Sequence, residues 1–585
     1  MKQLLMKNDY EKRSLLNILL IISLTQLFFF SCESSPQPTG PLFLPQGFES
    51  TVFVDEISET TRHITVSSEG TVYTKFKKTS EEGALAAMKD VDGNGKADEV
   101  IKFANDTLIK GYGYATAARI YKGYLYFSSE LAVYRYKLDP AQMVPQGELE
   151  TVVIDDHPHG MHEHIGKPIA FDDKGNLYVP FGAPSNTCQN PKRTPLQAGM
   201  DPCPQLKDHG GIWVFDAEKL NQTQAEGKKF ATGIRSIVGL DWNPHDQSLY
   251  AVVHGRDDLF RLWPDRYNAW ESALLPSEEF IRIEEGDNFG WPYCYYDQIQ
   301  EKRVLSPEYG GDKNTIGRCA EYKDPIMGFP GHWAPNDLVF YQGDAFPEYY
   351  KNGAFIAFHG STNRAPYPQS GYFIGFIPFE NGMPTGDFNV FADGFAQVDP
   401  IINVRDAVYR PMGIAFGPNG TMYIGDTEKG RIWSVRFTGD KSKFGKADLA
   451  KMEARKQLSH IKTPDFEKDN FSDTNISEGQ QLYNKYCMAC HQSDGKGASG
   501  RFPPLNKTDW VIGNKERLVH LMLNGMEGPI EVNGENYNGI MPQHSFLKDN
   551  EIAEVLSYIR THFGNTSNSI STEEVTKYRI TNSKK

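Results

Sequence analysis

The chain has 585 residues, with 75 acidic against 61 basic side chains and a formal charge of −14. That balance excludes a nucleic-acid binder, which needs a basic face, and reads as an ordinary acidic surface. The length exceeds one ordinary core, so the chain holds several units or grows by repetition around an axis.

At the N-terminus, Lys2, Lys7, Lys12 and Arg13 precede an apolar run, "LLNILLIISLTQLFFFSC", from Leu15 to Cys32. A basic segment followed by an apolar one is a secretion signal. Because the run ends on a cysteine and turns polar at once, it resembles a bacterial lipoprotein signal. On that resemblance residues 1–32 are the signal region, Cys32 carries the lipid and residues 33–42 are a tether. An uncleaved signal anchor is the alternative, since the run nearly spans a bilayer. Both export the rest of the chain.

Beyond the tether a phrase returns: a turn, commonly with glycine, then a short strand. It reads "SEGTVYTKF" at Ser68, "KGYLYFSSE" at Lys122, "KGNLYVPFG" at Lys174, "DQSLYAVVHG" at Asp246, "KNGAFIAFHG" at Lys351 and "PNGTMYIGD" at Pro418. Each copy predicts a turn followed by a half-buried strand. Six copies predict an all-β six-bladed propeller over residues 43–437, mostly of four-stranded blades. The widest spacing, between the fourth and fifth copies, predicts an insertion.

Between the first and second copies lies "DVDGNGKAD". Asp90, Asp92, Asn94 and Asp98, with the Lys96 carbonyl, have the spacing of a calcium loop without the EF-hand's closing glutamate. Its expected role is structural. Of seven cysteines, Cys188, Cys203, Cys294 and Cys319 remain once Cys32 and a C-terminal pair are set aside. An oxidising compartment favours disulfides over zinc. Three pairings are possible, and the local one, Cys188–Cys203 with Cys294–Cys319, is expected.

Residues 438–475 are charged and poor in aromatics, a linker that is part helical. A small all-α domain is expected over 476–563, followed by a polar, frayed tail over 564–585. In "YNKYCMACHQSDGKG", Cys487, Cys490 and His491 spell the attachment run of haem c. With "YNGIMPQHSF" and "GRFPPLNKTDW" the segment resembles class I c-type cytochromes. The resemblance implies His491 and Met541 as axial iron ligands, with His544 and Met526 as competitors. Methionine opposite histidine raises the haem potential, which suits an electron acceptor.

The propeller resembles the soluble PQQ-dependent glucose dehydrogenases and the related sorbosone and pyranose dehydrogenases. The phrases that carry this are "HEHIGKPIAFDDKGNLYV", "ATGIRSIVGLDW", "EEGDNFGWPYC" and "VYRPMGIAFGPNGTMYIGD". The resemblance implies His164 as general base, oriented by Glu163, and His162 as structural. It implies PQQ, whose three carboxylates would pair with Arg235, Arg364 and Arg410. It also implies calcium on the backbone carbonyls of Gly255 and Arg256. Ser236 and Val238 depart from the family pattern and lean toward its sorbosone and pyranose branch.

Together these readings predict an exported dehydrogenase, lipid-anchored to a membrane at Cys32. It would oxidise a sugar or related polyol or aldehyde with PQQ, reduce its own haem c and serve an external cytochrome or quinone chain. A non-catalytic carbohydrate- or partner-binding propeller and a calcium-using propeller hydrolase are the alternatives. Nicotinamide chemistry is excluded, since no Rossmann fingerprint occurs.

Overall fold

A computed structural model describes residues 42–55, 57, 61–105, 109, 117–157, 162–465 and 476–582. The signal region, Cys32 and residues 33–41 lie outside these. Every repeated phrase folds as a turn entering the second strand of a blade. In the second copy the turn is Lys122–Gly123, with φ of 45° and 77°. Two successive positive φ values are what a two-residue hairpin between right-twisted strands requires.

Six four-stranded antiparallel blades result, with a short parallel strand, Gln222–Thr223, added to the second. The last blade takes three strands from residues 411–437 and its fourth from the other end of the propeller. Phe48–Val54 pairs antiparallel with Ile432–Phe437. This closes the ring and removes an exposed edge.

The second strands are not half-buried, as alternation predicts. Ser248–Val253 and Ala354–Phe358 are buried at every position. Neighbouring blades cover both faces of a middle strand, so the inside-outside pattern vanishes there. An aromatic cluster of Phe48, Tyr350, Phe355, Phe391 and Trp433 joins the last two blades. Removing a buried ring such as Phe355 costs about 3–5 kcal/mol.

The insertion after the fourth repeat carries a hairpin, Cys294–Asp297 with Lys302–Leu305. Both expected disulfides form, Cys188–Cys203 and Cys294–Cys319. They share a cluster with Trp291 and Tyr293. Past the propeller, helix Lys446–Arg455 lies on the fifth blade and buries Met452 beside Trp333.

The C-terminal domain packs Glu478–Tyr486 and Lys515–Asn524 around Asp549–Thr561. It is helical as expected, with one hairpin added, Met526–Val532 against Glu535–Met541. The tail is not frayed. Helix Thr572–Asn582 buries Val575, and Lys515 and Asp549 pair with its Glu574 and Arg579.

Candidate active site and haem cavity

In the C-terminal domain, the Ser477 hydroxyl caps helix Glu478–Tyr486 by accepting from the Gln480 N–H. Leu482 and Tyr483 sink its inner face into the core. The helix therefore delivers Cys487, and the following turn Met488–His491 delivers Cys490 and His491 to the same cavity. That cavity is about 1100 Å³, part of it open to solvent, with a mainly apolar lining.

Both cysteines are free thiols. The His491 Nδ1–H donates to the Pro503 carbonyl at 2.9 Å, which leaves Nε2 as the ligand nitrogen. Met541 ends the hairpin on the cavity wall, with Met526 paired across the ladder and also lining it. His544 lines it too, both ring nitrogens buried without hydrogen-bond partners, and burial pushes its pKa down to about 3. Two thiols, an oriented imidazole and thioether sulfur around an apolar slot fit a covalently held haem.

The propeller contributes a second site. In each blade the start of the inner strand and the end of the next strand share one rim. His164, Arg235 and Arg410 precede inner strands of the third, fourth and sixth blades. His254 and His359 follow second strands of the fourth and fifth. The His164 Nδ1–H donates to the Ala183 carbonyl at 2.8 Å. Burial first, then the Arg235 charge, hold its pKa well below the usual imidazole range.

Glu163 does not orient His164 as the resemblance implied. Its Oε2 accepts instead from Arg193, with Nε at 2.9 Å and Nη2 beside it, while Oε1 is buried without a partner. His162 packs edge-on against His209.

Arg235 is buried and donates to Asp257 at 2.7 Å, to Asn186 and to the Gly255 carbonyl at 2.6 Å. At the two residues expected to offer carbonyls to calcium, the Gly255 carbonyl accepts from Arg235, and the Arg256 side chain pairs with buried Glu308. Arg364 also leaves the expected set. Two of its nitrogens donate to the Ser459 and Lys462 carbonyls and hold the linker.

Arg410 stays on the rim. It donates to the Gly360 carbonyl and lies 3.0 Å from His359 Nδ1, while His359 Nε2 bonds Thr427. Arg235 also keeps a buried Nε without a partner. Arg235 and Arg410 supply the positive charge of this rim, and burial keeps the imidazoles of His164, His254 and His359 neutral beside them, an arrangement that fits a polyanionic planar cofactor such as PQQ.

In the acidic loop, ligand oxygens of Asp90, Asp92 and Asp98 lie within 4.8 Å of one another, the acid cluster of this kind among the described residues. Asn94 instead turns its amide to Asp92 and the Lys96 N–H. Arg436, 3.0 Å from Asp90, ties the loop to the last blade.

Sequence reading missed Arg193, Asp257, Asp258 and Arg261. For Asp257, Asp258 and Arg261 the signal was the run of charges in "HGRDDLFRL" directly after a buried strand; Arg193 left none. Arg193 bridges Asp257 and Asp258, and Asp258 in turn holds Arg261 at 2.7 Å. Arg261 lines the haem cavity. The cytochrome domain therefore rests on the propeller rim. Gln492 donates to the Thr362 carbonyl at 3.3 Å, and Asn403 to Asp494 at 3.0 Å.

A six-bladed propeller whose charged rim runs into a haem-type cavity defines a propeller joined to a c-type cytochrome. Residues 42–438 match the TrAA12-like family model and 476–563 the cytochrome c model, so the chain belongs to the TrAA12-like family and carries a cytochrome c domain.

Cytochrome c-552 of Thermus thermophilus is 39% identical over 112 residues, 18% of this chain and 85% of that cytochrome. A pyrroloquinoline quinone-dependent sugar dehydrogenase of Hypocrea jecorina is 24% identical over 40% of this chain and 55% of its own length. The structure of a Trichoderma reesei family AA12 carbohydrate-active enzyme superposes with a TM-score of 0.56. It shares 20% identity and covers 68% of this chain and 98% of that one, a likeness of fold.

Proposed function

We propose that the chain is an exported oxidoreductase of the bacterial envelope that oxidises a sugar, or a related polyol or aldehyde, with PQQ in the propeller. Its electrons leave through its own haem c to an external cytochrome or quinone chain. The observation that carries this reading is the junction itself: the ion pairs beside His164 and Arg235 continue through Asp258 to Arg261 in the haem cavity wall. The relationship to PQQ-dependent sugar dehydrogenases supports the propeller's chemistry, and the cytochrome c relationship supports the haem.

PQQ would supply a two-electron acceptor and haem c a one-electron outlet. Arg235 and Arg410 would hold the quinone's carboxylates. His164, a neutral imidazole with Nδ1 committed to Ala183, would take the substrate's hydroxyl proton on Nε2. Cys487 and Cys490 would form the thioethers, and His491 and Met541 would ligate iron. Calcium would tighten the Asp90 loop, and lipidation at Cys32 would tether the protein to a membrane.

Adding PQQ, calcium and a panel of aldoses and polyols to the holocytochrome, and following haem absorption, tests this. Sugar-dependent haem reduction that requires PQQ and vanishes in His164→Ala is expected. A haem that stays oxidised with every substrate discards the dehydrogenase and favours a non-catalytic binding propeller.

A further inference from the structure

Arg261 lies on a short helical turn, Leu259–Leu262, in the loop that follows the fourth blade's second strand. Its side chain is 4% exposed. Nη2 donates to Asp258 Oδ2 at 2.7 Å, while Nε and Nη1 are buried with no hydrogen-bond partner. A buried guanidinium nitrogen left unsatisfied is costly, and Arg261 leaves two. It forms part of the wall of a cavity in the other domain, beside Cys490, Tyr486 and His544.

Burial is the largest influence and would lower the arginine's pKa, but the raising contributions, led by the charge and hydrogen bond of Asp258, together exceed it and the guanidinium stays ionised. The cavity's mainly apolar lining screens such a charge weakly. A fixed positive charge beside an iron centre favours the reduced, less positive state.

Resting on the reading that Cys487, Cys490 and His491 carry haem c, we propose that Arg261 is the propeller's positioning residue for the haem. Asp258 anchors it on the propeller side, and its guanidinium raises the reduction potential of the group to which the propeller delivers electrons. The domain that donates electrons then helps to set the potential of their acceptor. Asp258 is also held by Arg193, which contacts Asp257 and Glu163 beside Arg235. A change of charge at the propeller rim reaches the haem through these shared carboxylates. The plainer role for Arg261, neutralising Asp258 and nothing more, predicts no effect on the haem.

Redox titration of the haem band in the full-length holoprotein distinguishes the two. Arg261→Gln is expected to shift the haem equilibrium about tenfold toward the oxidised form, about 59 mV for one electron. Arg261→Lys keeps the charge and should retain most of the potential. Asp258→Asn removes a negative charge and should move the potential upward. Covalent haem content and low-spin spectrum are measured for each variant. Arg261→Gln with intact, low-spin haem at the wild-type potential overturns this proposal and leaves the haem reading standing. A wild-type chain matured with haem available yet holding none covalently overturns both. Should Arg261→Gln fail to fold, Asp258→Asn decides, and an unchanged or lower potential there counts against Arg261.

Discussion

The Nδ1–H of His164 donates to the Ala183 carbonyl oxygen at 2.8 Å, and this bond selects the nitrogen that can act as base. A carbonyl only accepts, so the proton sits on Nδ1 and the lone pair on Nε2. Burial and the Arg235 charge keep the ring neutral, ready to accept a proton. We expect His164→Gln to lower kcat by about 10²–10⁴-fold, the usual worth of a positioned base. The wild-type rate should stay level from about pH 8 down past about pH 6.5, where an ordinary histidine protonates. A rate that falls with a midpoint near 6.5 would mean the imidazole is not held neutral.

The haem ligands are separable by the same kind of substitution. Met541 and His544 both line the cavity that also receives the oriented imidazole of His491. We expect Met541→Ala to lose the low-spin reduced spectrum and to lower the haem potential, because a thioether ligand favours the reduced iron. His544→Ala should keep both. The opposite pattern assigns the sixth position to His544.

What the sequence disclosed follows the range of the interactions involved. The repeated turn-strand phrase and the C-x-x-C-H run are local, so both the propeller and the haem segment were legible. The phrase also marked the second strand of each blade, since that strand follows the tight hairpin. The rim was legible only in part. His164, Arg235 and Arg410 lie beside regular strands and land where blade order puts them.

Glu163 was lost to Arg193, thirty residues away in sequence, and Arg364 to the linker. Competition among side chains from different blades is not written in any one stretch. Arg261 shows this most plainly. Its meaning depends on a domain that begins more than two hundred residues later.

Calcium binding at the acidic loop has a direct thermal test. Asp90, Asp92 and Asp98 crowd three carboxylates together, with Arg436 offsetting only Asp90. A cation relieves that repulsion, and at a hundredfold excess over Kd it would stabilise the native loop by about 2.7 kcal/mol. Thermal melting of the full chain should rise with calcium and fall with a chelator. In Asp92→Asn the calcium-dependent rise should shrink or vanish. An equal rise in Asp92→Asn places the effect elsewhere.

The linker carries a pH dependence of definite sign. His460 has Nε2 3.1 Å from Asp393 and Nδ1 3.3 Å from Asp399, so both ring nitrogens face carboxylates. Two acceptors demand two protons, and the ring must be imidazolium. Burial would lower its pKa, but the two carboxylates outweigh burial and raise it to about 9. The unfolded value is about 6.5. Protonation is thus bound more tightly in the folded state, and its contribution is complete below about pH 6.5 and lost as pH rises through about 9. The full contribution is about 3 kcal/mol at most, or roughly a hundredfold in local opening.

That segment matters because it pins the linker to the propeller. The Gly371 N–H donates to the His460 carbonyl, and Arg364 holds the neighbouring Ser459 carbonyl. Amide exchange of helix Lys446–Arg455, corrected for the intrinsic effect of pH, should show steady protection below about pH 6.5 and falling protection toward about pH 10. His460→Gln should be less protected below about pH 9, with no such fall. A fall of equal size in His460→Gln would assign the pH dependence to another group.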